Sequence, residues 1–171
     1  MIDFNAPADD VAPLLLGGVV TMGGVSVRLT EVEAYLGAED EAAHTFRGRT
    51  PRNAAMFGPP GRLYVYLSYG IHLAGNIVCA PEGTGQGCLM RAGEVVAGVD
   101  LARERRGDVP FEKLASGPGN LGKALGLSLA DNGTPVPLDL PDVVPEHVRG
   151  PRVGISKNMD APLRFWIPGD R

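Results

Sequence analysis

Acidic, aromatic and imidazole side chains that could take part in catalysis lie close together in the segment EVEAYLGAEDEAAHTF, from Glu31 to Phe46. The alternation of a β-strand extends an apolar row into two carboxylates and an aromatic ring: Val25, Val27, Leu29, Glu31, Glu33 and Tyr35. If this face stays covered, desolvation raises the carboxylate pKa above its usual value of about 4.3, which suits a general base near neutral pH. If the strand instead leaves the core at Glu31, both carboxylates are solvated, and the pattern leaves both alternatives open.

His44 ends the same acidic run and carries a group that titrates near neutral pH. Asp40, four residues earlier, could orient the imidazole if this stretch forms a helical turn, and a purely structural hydrogen-bonding role is the alternative. The remaining histidines and the two cysteines match no zinc-ligand spacing, so we expect no metal and no cofactor. Two cysteines make no disulfide framework, and we expect Cys79 and Cys88 to be half-buried thiols.

Three tyrosines, Tyr64, Tyr66 and Tyr69, follow within six positions, and Tyr69 precedes Gly70 at a predicted hairpin tip. A large, rigid aromatic ring at a tight turn is well shaped to wedge into a base stack. The alternative is an aromatic ladder on a half-buried sheet.

The formal net charge of -4 and the pI of about 5.3 argue against a nucleic-acid-binding protein, because such binding depends on phosphate neutralisation. The charges are nevertheless unevenly distributed. The segment from His44 to Pro81 holds no acid and four arginines: Arg47, Arg49, Arg52 and Arg62. A second basic cluster, VDLARERRG, is predicted to be helical. These clusters are either phosphate-binding patches or solvated faces of an acidic protein.

Glycine and proline divide the chain into short elements, which predicts a single α+β domain over residues 1–171 around a mainly antiparallel sheet. A strand in LLLGGVVTM and a second strand from Val25 to Leu36 form a hairpin around Gly23-Gly24. Further strands are predicted in RLYVYLSYGIHLAGNIVC, in GCLMRAGEVV, and in the tail segments RVGIS and LRFWIP. Thr50 and Pro51 begin a short helix that ends at Gly58, and Asn120 caps a later one.

Several classes of protein are excluded or disfavoured by absent patterns. The chain contains no Gly-x-Ser-x-Gly motif, no Walker loop and no dinucleotide fingerprint. Its acidic N-terminus lacks the layout of a signal peptide, and no apolar run approaches the roughly 20 residues of a membrane span. We therefore expect a soluble cytoplasmic protein with no membrane partner.

The segments EVEAYLGAEDEAAH, TPRNAAMFGPPGRLYVYLSYGIH, NIVC, CLMRAGE and SGPGNLGKALG occur in this order, and together they resemble the alkyladenine (3-methyladenine) DNA glycosylase family. The resemblance extends over about residues 11 to 167. It implies an α+β domain around a barrel-like, mainly antiparallel sheet with flanking helices, like the scaffold appended to a formyltransferase that acts on initiator tRNA. It also implies a monomer that acts on double-stranded DNA containing damaged purines.

The resemblance implies a role for each matching residue. Glu33 activates the water that attacks the anomeric carbon, and Arg91 helps to hold that water. The flipped-out base lies in a pocket formed by Tyr35, His44, Tyr66 and Asn76. Tyr69 fills the hole left in the duplex, and Arg47, Arg49 and Arg52 are expected to contact the DNA backbone. His72 departs from the pattern, because many relatives have an aromatic residue at this position.

The resulting hypothesis is a monofunctional glycosylase, since no lysine lies in the motif to form a Schiff base. The resemblance implies that its substrates are among 3-methyladenine, 7-methylguanine, hypoxanthine and ethenoadenine, which all fit a purine-sized aromatic pocket. A non-catalytic nucleic-acid-binding module on the same scaffold is the main alternative. A small-molecule hydrolase that uses Glu31 and Glu33 as an acid/base pair is disfavoured, because residues two apart on a strand project in parallel.

Overall fold

The computed structural model describes residues 2–169, which form short helices and strands separated by turns. The α-helices of this part of the chain are α1 (Ala8–Leu15), α2 (Val99–Arg106) and α3 (Pro118–Leu125). Its strands are β1 (Val19–Met22), β2 (Val25–Tyr35), β3 (Leu63–Ser68), β4 (His72–Cys79), β5 (Gln86–Ala97), β6 (Leu138–Asp139), β7 (Val148–Gly150) and β8 (Arg164–Trp166). Single 3₁₀ turns occur at Gly37–Glu39, Ala54–Phe57, Phe111–Lys113 and Leu129–Asp131. Within residues 2–169, no helix combines the length and the apolarity that a membrane crossing requires.

The strands form one antiparallel sheet in the order β3-β4-β5-β2-β1-β6. The long strand β2 organises it, because β5 pairs along one edge of β2 while β1 and β8 share the other edge. β7 pairs with β8 and so brings the tail of the chain to the sheet. The curled antiparallel sheet with flanking helices confirms the predicted α+β class.

The main apolar core joins this sheet to α1 and α3. Val11 and Leu15 of α1 and Leu121 and Leu125 of α3 are fully buried in the same cluster as the apolar residues of β2. Each buried leucine of this kind contributes about 1.5–3 kcal/mol of transfer free energy. The helices therefore cover one face of the sheet, and they leave its opposite face uncovered.

Three register shifts interrupt the pairing of β2 with β5: one lies at its start, between Ser26 and Val27, and the other two are β-bulges on either side of Glu31. In the first bulge the extra residue is Thr30 of β2, between Leu29 and Glu31. In the second it is Arg91 of β5, opposite the step from Glu31 to Val32. A bulge inserts one unpaired residue, bends the strand and redirects the side chains that follow it. Glu31 thus lies between two irregularities of the ladder.

The bulges change which side of β2 faces the core. Before them Val27 and Leu29 are core residues, whereas after them Val32 and Ala34 take that place. The predicted continuous row from apolar to acidic side chains is therefore wrong, because an extra residue reverses the two-residue period of the strand. Glu33 consequently points away from the main core.

Two predicted elements near the N-terminal half differ from the structure. Leu14 and Leu15 of LLLGG belong to α1, which ends at Leu15, and β1 begins only at Val19. Pro13 lies inside α1 and hides its helical pattern, since proline is disfavoured in helix interiors. The helix predicted from Thr50 is a single 3₁₀ turn from Ala54, because the backbone and hydroxyl of Thr50 bond to Asn53 and compete with a helical turn.

Two predictions in the C-terminal part are also wrong. Asn120 does not cap α3, which follows Gly117 and has Pro118 in its first turn; the Asn120 amide donates to the carbonyl of Ser116. RVGIS forms no strand, because β7 ends just before it at Gly150. LRFWIP does contain a strand, β8, as predicted.

Cys79 and Cys88 are free and fully buried, so the expectation of half-buried thiols underestimated their burial. Their sulfur atoms lie 3.7 Å apart on neighbouring strands. Burial, together with the adjacent Cys79, raises the pKa of the Cys88 thiol well above its ordinary value. Both cysteines serve as core residues.

Gly122 is where α3 approaches the sheet most closely, and replacing it with alanine tests that contact. A Cβ atom at Gly122 would overlap the carbonyl oxygen of Leu73. We expect Gly122→Ala to lower the free energy of unfolding by about 1–3 kcal/mol, although alanine has the higher helix propensity. Urea denaturation measures the change. The exposed Lys123→Ala is the matched control, expected to stay within about 0.5 kcal/mol of the original chain. Unchanged stability of Gly122→Ala would mean that this approach is not close.

Candidate active site

Strand register places four residues from four strands in one row across the sheet. Glu33 of β2 pairs with Leu89 of β5. Leu89 also pairs with Asn76 of β4, and Asn76 pairs with Tyr64 of β3. Directly paired residues project from the same face, and neighbouring strands lie about 4.8 Å apart, so the row is about 14 Å long.

This row is the floor of a cavity of about 810 Å³. Most of the side chains predicted as site residues line it: Glu33, Tyr35, His44, Arg52, Tyr66, Tyr69, Asn76 and Arg91. The cavity is closed on one side by a loop over residues 153–157, which lies between β7 and β8. Arg47 and Arg49 are the predicted site residues that do not line it.

The carboxylate of Glu33 is fully buried, and three groups surround it. The hydroxyl of Tyr35 donates to Oε1 at 2.9 Å, and the backbone amide of Val153 donates to Oε2 at 2.8 Å. Nε of Arg91 lies 3.7 Å from Oε2. Donors from three separate segments thus replace the water that a carboxylate normally binds.

The environment of Glu33 tunes its acidity in two directions. Burial raises its pKa above the ordinary value of a glutamate, and the nearby charge of Glu31 adds to the rise. The Val153 amide, Arg91 and the Tyr35 hydroxyl counteract it. Burial and the charge of Glu33 also raise the pKa of Tyr35, so that its hydroxyl remains a hydrogen-bond donor. The result is a carboxyl suited to accepting a proton near neutral pH.

Glu31, the second carboxylate of the motif, is buried beside the cavity and does not line it. Nε of Arg91 donates to its Oε2 at 2.9 Å, and Nη1 of Arg164 lies 3.4 Å from the same oxygen. Arg164 is also stacked over Trp166 at 3.9 Å. Glu31 therefore holds Arg91 in place, and the alternative of a paired-carboxylate hydrolase lacks its second reactive group.

His44, Tyr64 and Tyr66 form an aromatic wall at the opposite end of the floor. The ring of His44 meets that of Tyr66 at 4.4 Å between centroids and 77° between planes, and the two tyrosines stack at 5.7 Å. Nδ1 of His44 lies 3.4 Å from the Tyr64 hydroxyl. Although part of the imidazole is open to solvent, burial and then the charge of Arg52 lower the pKa of His44. The neutral imidazole is therefore favoured.

Asp40 does not orient His44, so of the two alternatives open for this pair the structure does not realise the helical-turn contact. The buried carboxylate of Asp40 accepts hydrogen bonds from Arg152 and from the backbone amides of Leu36 and Ala42. Burial opposes the charged form, but these hydrogen bonds outweigh it and lower the pKa of Asp40. Asp40 thus anchors the loop that leads to His44, whereas the imidazole of His44 contacts the tyrosines.

Tyr69 is at the tip of the β3–β4 hairpin, at the rim of the cavity. Its side chain is 85% exposed, and its backbone is left-handed, with φ of 52°. Such a conformation is unfavourable for a bulky residue and often marks a functional position. The hairpin tip therefore projects an aromatic ring into solvent.

His72 begins β4 and lies against the start of α3, since a Cβ on Gly119 would come within 2.8 Å of the His72 Cβ.

Asn76 and the arginine-bearing loop complete the site. Asn76 is buried, and its amide donates to the carbonyl of Tyr64, so its side chain is fixed at the floor. Arg47, Arg49 and Arg52 are all exposed on the loop that follows His44, and of these Arg52 reaches the cavity. The three guanidinium groups thus lie near the cavity entrance and accessible to solvent.

Asn53 holds the arginine-bearing loop in shape. Its buried amide donates to the carbonyls of His44 and Gly48 at 3.1 Å each, and its side-chain oxygen accepts the backbone N–H of Thr50. The side chain therefore connects the imidazole-bearing turn to the arginines.

The second basic cluster on α2 has a structural role. Its three arginines donate to backbone carbonyls of neighbouring turns: Arg103 to Val109, Arg105 to Gly23 and Ala124, and Arg106 to Lys113 and Leu114. These contacts hold α2 against α3 and the β1–β2 turn. The interpretation of this cluster as a phosphate-binding patch has no support in the structure.

Arg152 and Val153 are site residues that sequence reasoning missed. Both lie in RVGIS, whose apolar alternation predicts a strand, whereas Val153 is 43% exposed and its amide turns toward Glu33. The sequence signal that could have revealed the loop is Gly154 within that segment, because glycine disfavours strands.

Comparisons with known proteins show which family the chain is similar to. A family model described as Methylpurine-DNA glycosylase (MPG) matches residues 2–171. A protein of Corynebacterium efficiens is 70% identical over 174 residues, which cover 99% of this chain and 92% of that protein. One of Cutibacterium acnes is 53% identical over 183 residues (99% and 96%), and one of Mycobacterium leprae is 49% identical over 168 residues (91% and 78%). All three carry the name "Putative 3-methyladenine DNA glycosylase".

Replacing Tyr35 by phenylalanine tests the hydrogen bond to Oε1 of Glu33. Because the Tyr35 hydroxyl stabilises the charged carboxylate, we expect Tyr35→Phe to raise the pKa of Glu33 further. Side-chain carboxyl ¹³C chemical shifts, followed as a function of pH, measure it. Tyr64→Phe removes a hydroxyl that contacts His44 and should leave the Glu33 titration where it was. A Glu33 pKa that is unmoved in Tyr35→Phe would show that this hydrogen bond is absent in solution.

Proposed function

The chain belongs to the methylpurine-DNA glycosylase family, and from that premise we propose that it hydrolytically excises alkylated or deaminated purines from duplex DNA and leaves an abasic site. The substrates proposed are 3-methyladenine, 7-methylguanine, hypoxanthine and ethenoadenine. Acting on chromosomal DNA implies the compartment that holds the chromosome, which in bacteria is the cytoplasm. We further propose that the enzyme acts as a monomer.

The observation that carries this proposal is a buried carboxylate at one end of an aromatic cavity. Glu33 is fully buried yet lines the cavity, and the rings of Tyr35 and Tyr66 line the same cavity. The volume of about 810 Å³ is within the range of about 300–1,000 Å³ found for small-molecule sites, which accommodates a purine nucleoside. A module that only bound nucleic acid would have no need of a desolvated carboxylate there.

The reaction uses the carboxylate in two ways. Breaking the N-glycosidic bond develops oxocarbenium character on the sugar, and the negative charge of Glu33 stabilises that cation. The same carboxylate accepts a proton from the water that attacks the anomeric carbon. Arg91, whose Nε lies 3.7 Å from Oε2 of Glu33, would help to hold this water. Because Tyr35 and Val153 fix the carboxylate, it needs no reorganisation during the reaction.

The extruded base is proposed to lie between Tyr35 on one side and His44 and Tyr66 on the other. Stacking on aromatic side chains is worth about 1–3 kcal/mol per base and does not depend on the identity of the base. Selectivity then comes from polar groups at the floor, where Asn76 would crowd the 2-amino group of guanine. Damaged and mispaired bases also cost less to unstack.

Leaving-group chemistry differs among the proposed lesions. Alkylated bases such as 3-methyladenine are already cationic and depart without protonation, whereas hypoxanthine and ethenoadenine are neutral and need a proton or hydrogen bond. The neutral imidazole favoured at His44 can donate one hydrogen bond to such a base. The pocket thus offers the interactions that both classes of lesion require.

Binding to DNA is proposed to depend on the hairpin tip and the adjacent loop. Tyr69 would occupy the space left by the extruded nucleotide, and the exposed Arg47, Arg49 and Arg52 would contact phosphates. The net charge of -4 leaves only these local patches to attract DNA, so affinity should fall steeply with salt.

The proposal is tested by incubating the protein at low salt with duplexes that contain hypoxanthine or ethenoadenine, and with methylated DNA. Treatment with alkali then reveals abasic sites. Strand cleavage that requires alkali supports a monofunctional enzyme. Cleavage without alkali, with covalent trapping by borohydride, would point instead to Lys157, which lines the cavity on the closing loop. Binding without any abasic product would move the function to the binding-module alternative.

Glu33→Gln is expected to bind lesion DNA and to lose excision by at least about a hundredfold, the usual contribution of a general base. Gel-shift assays and alkali-revealed cleavage measure the two properties separately. The matched control is Glu94→Gln on the exposed part of β5, expected to excise normally. Retained turnover in Glu33→Gln would remove Glu33 from the role of base.

Tyr69→Ala is expected to weaken binding of lesion DNA by about tenfold or more, because no aromatic ring then occupies the space that the extruded nucleotide leaves in the base stack. The melting temperature should not change, since the side chain is 85% exposed. Val143→Ala, also exposed but outside the cavity lining, is the control. Equal affinities of Tyr69→Ala and the original chain would count against the wedge.

A further inference from the structure

Arg152 is a fully buried arginine directly behind the site. Its Nη1 and Nη2 donate to the two carboxylate oxygens of Asp40 at 2.6 Å and 2.8 Å, and Nη1 also donates to the carbonyl of Ala34 at 3.1 Å. Neither side chain of this ion pair is exposed to solvent. The pair therefore ties the C-terminal loop to the end of β2, more than 100 residues away in sequence.

The guanidinium of Arg152 also lies against the ring of Tyr35, 4.7 Å from its centroid. It covers one face of the ring, and the cation–π attraction holds the ring in that plane. The hydroxyl of the same ring donates to Oε1 of Glu33. Through the ring of Tyr35, Arg152 thus helps to fix the hydrogen bond to one oxygen of the Glu33 carboxylate.

The residue that follows, Val153, donates its backbone amide to Oε2 of Glu33. An amide held by an exposed loop would be mobile, and Val153 is itself 43% exposed. The neighbouring Arg152 is the buried anchor of this loop. Both oxygens of Glu33 therefore depend on groups that Arg152 holds.

We propose that Arg152, paired with Asp40, is the positioning residue that holds Tyr35 and the Val153 amide against the two oxygens of Glu33. This inference rests on the proposed function, in which Glu33 is the base. Arg152 does not touch the substrate and acts only through Tyr35 and Val153. Its pairing geometry needs the planar fork of a guanidinium, which lysine cannot reproduce.

Fold stability alone does not explain such a pair. Desolvating two charges costs about as much as their attraction returns, so buried ion pairs are on average replaceable by apolar residues. Nε of Arg152 is in addition buried without a hydrogen-bond partner within the described part of the chain. Because the Arg152–Asp40 pair lies next to Glu33 in spite of these costs, its role is to orient the groups that contact Glu33.

Two variants test the proposal. Asp40→Asn combined with Arg152→Met removes both charges, so that no unpaired charge is left buried. Arg152→Lys keeps the charge beside Asp40 but loses the fork, and it serves as the second variant if the double variant does not fold. Arg149→Met is the matched control, because Arg149 stacks on the Phe165 ring and donates to the carbonyl of Pro162, and neither contact involves Glu33 or Tyr35.

The first readout is the pH dependence of excision under single-turnover conditions. A displaced carboxylate should lower the maximal rate by about tenfold to a hundredfold, with lesion-DNA affinity nearly unchanged. The Val153 amide lowers the pKa of Glu33, so losing it raises that pKa and moves the acid limb of the profile to higher pH. Both variants keep the other titratable side chains that face Glu33: Glu31, Tyr35, Tyr66 and Arg91, with Arg164 acting through Glu31. Release of the Tyr35 hydroxyl, which also lowers the pKa of Glu33, would shift the profile in the same direction.

The second readout does not depend on activity. In the original chain the amide proton of Val153 should follow the titration of Glu33 in ¹⁵N-edited NMR spectra, and in both variants it should not. Normal rates together with a normal Val153 titration, in the double variant or, if that does not fold, in Arg152→Lys, would overturn the proposal. If the original chain fails to excise any lesion, the proposed function is lost, while the NMR titration still decides whether Arg152 positions Val153.

Discussion

The site is built around one physical requirement, the burial of a negatively charged carboxylate at the face of a β-sheet. An isolated carboxylate removed from water carries a penalty of several kcal/mol, which must be offset by hydrogen bonds and opposite charge. At Glu33 the compensation comes from Tyr35 two residues away, from Val153 in the C-terminal loop, and from Arg91 on β5. Residues from distant parts of the chain must converge before this carboxylate can be accommodated.

The two β-bulges beside Glu31 make that convergence possible. Without an extra residue at Thr30, the regular alternation of β2 would continue the core row into Glu33 and place the carboxylate among leucines. With it, Val32 and Ala34 take over the core positions, and Glu33 faces the cavity. The second bulge, at Arg91, allows its guanidinium to reach both Glu31 and Glu33. Irregular pairing at this point is therefore part of the site.

The cavity combines a rigid floor with exposed edges. Its floor lies on four paired strands packed against α1 and α3, whereas Tyr69 and the arginines stand on a turn and a loop. Such a division suits the proposed reaction, because the carboxylate must be held in place while the edges adapt to a bent duplex. It also explains how a chain with a net charge of -4 can act on DNA, since its acid-free segment from His44 to Pro81 provides the exposed arginines near the entrance.

Much of this was determined by the sequence alone. The motif segments identified the family, which the comparisons confirm, and turn residues located the β1–β2 and β3–β4 hairpins, because glycine at these positions permits backbone conformations that other residues avoid. Only the tertiary structure decided whether Glu31 and Glu33 were solvated, since burial depends on which strands and loops cover them. The same holds for the bulges, for the partner of Asp40 and for the loop at Val153. These features arise from pairing across long stretches of chain, and local patterns of side chains carry no information about such contacts.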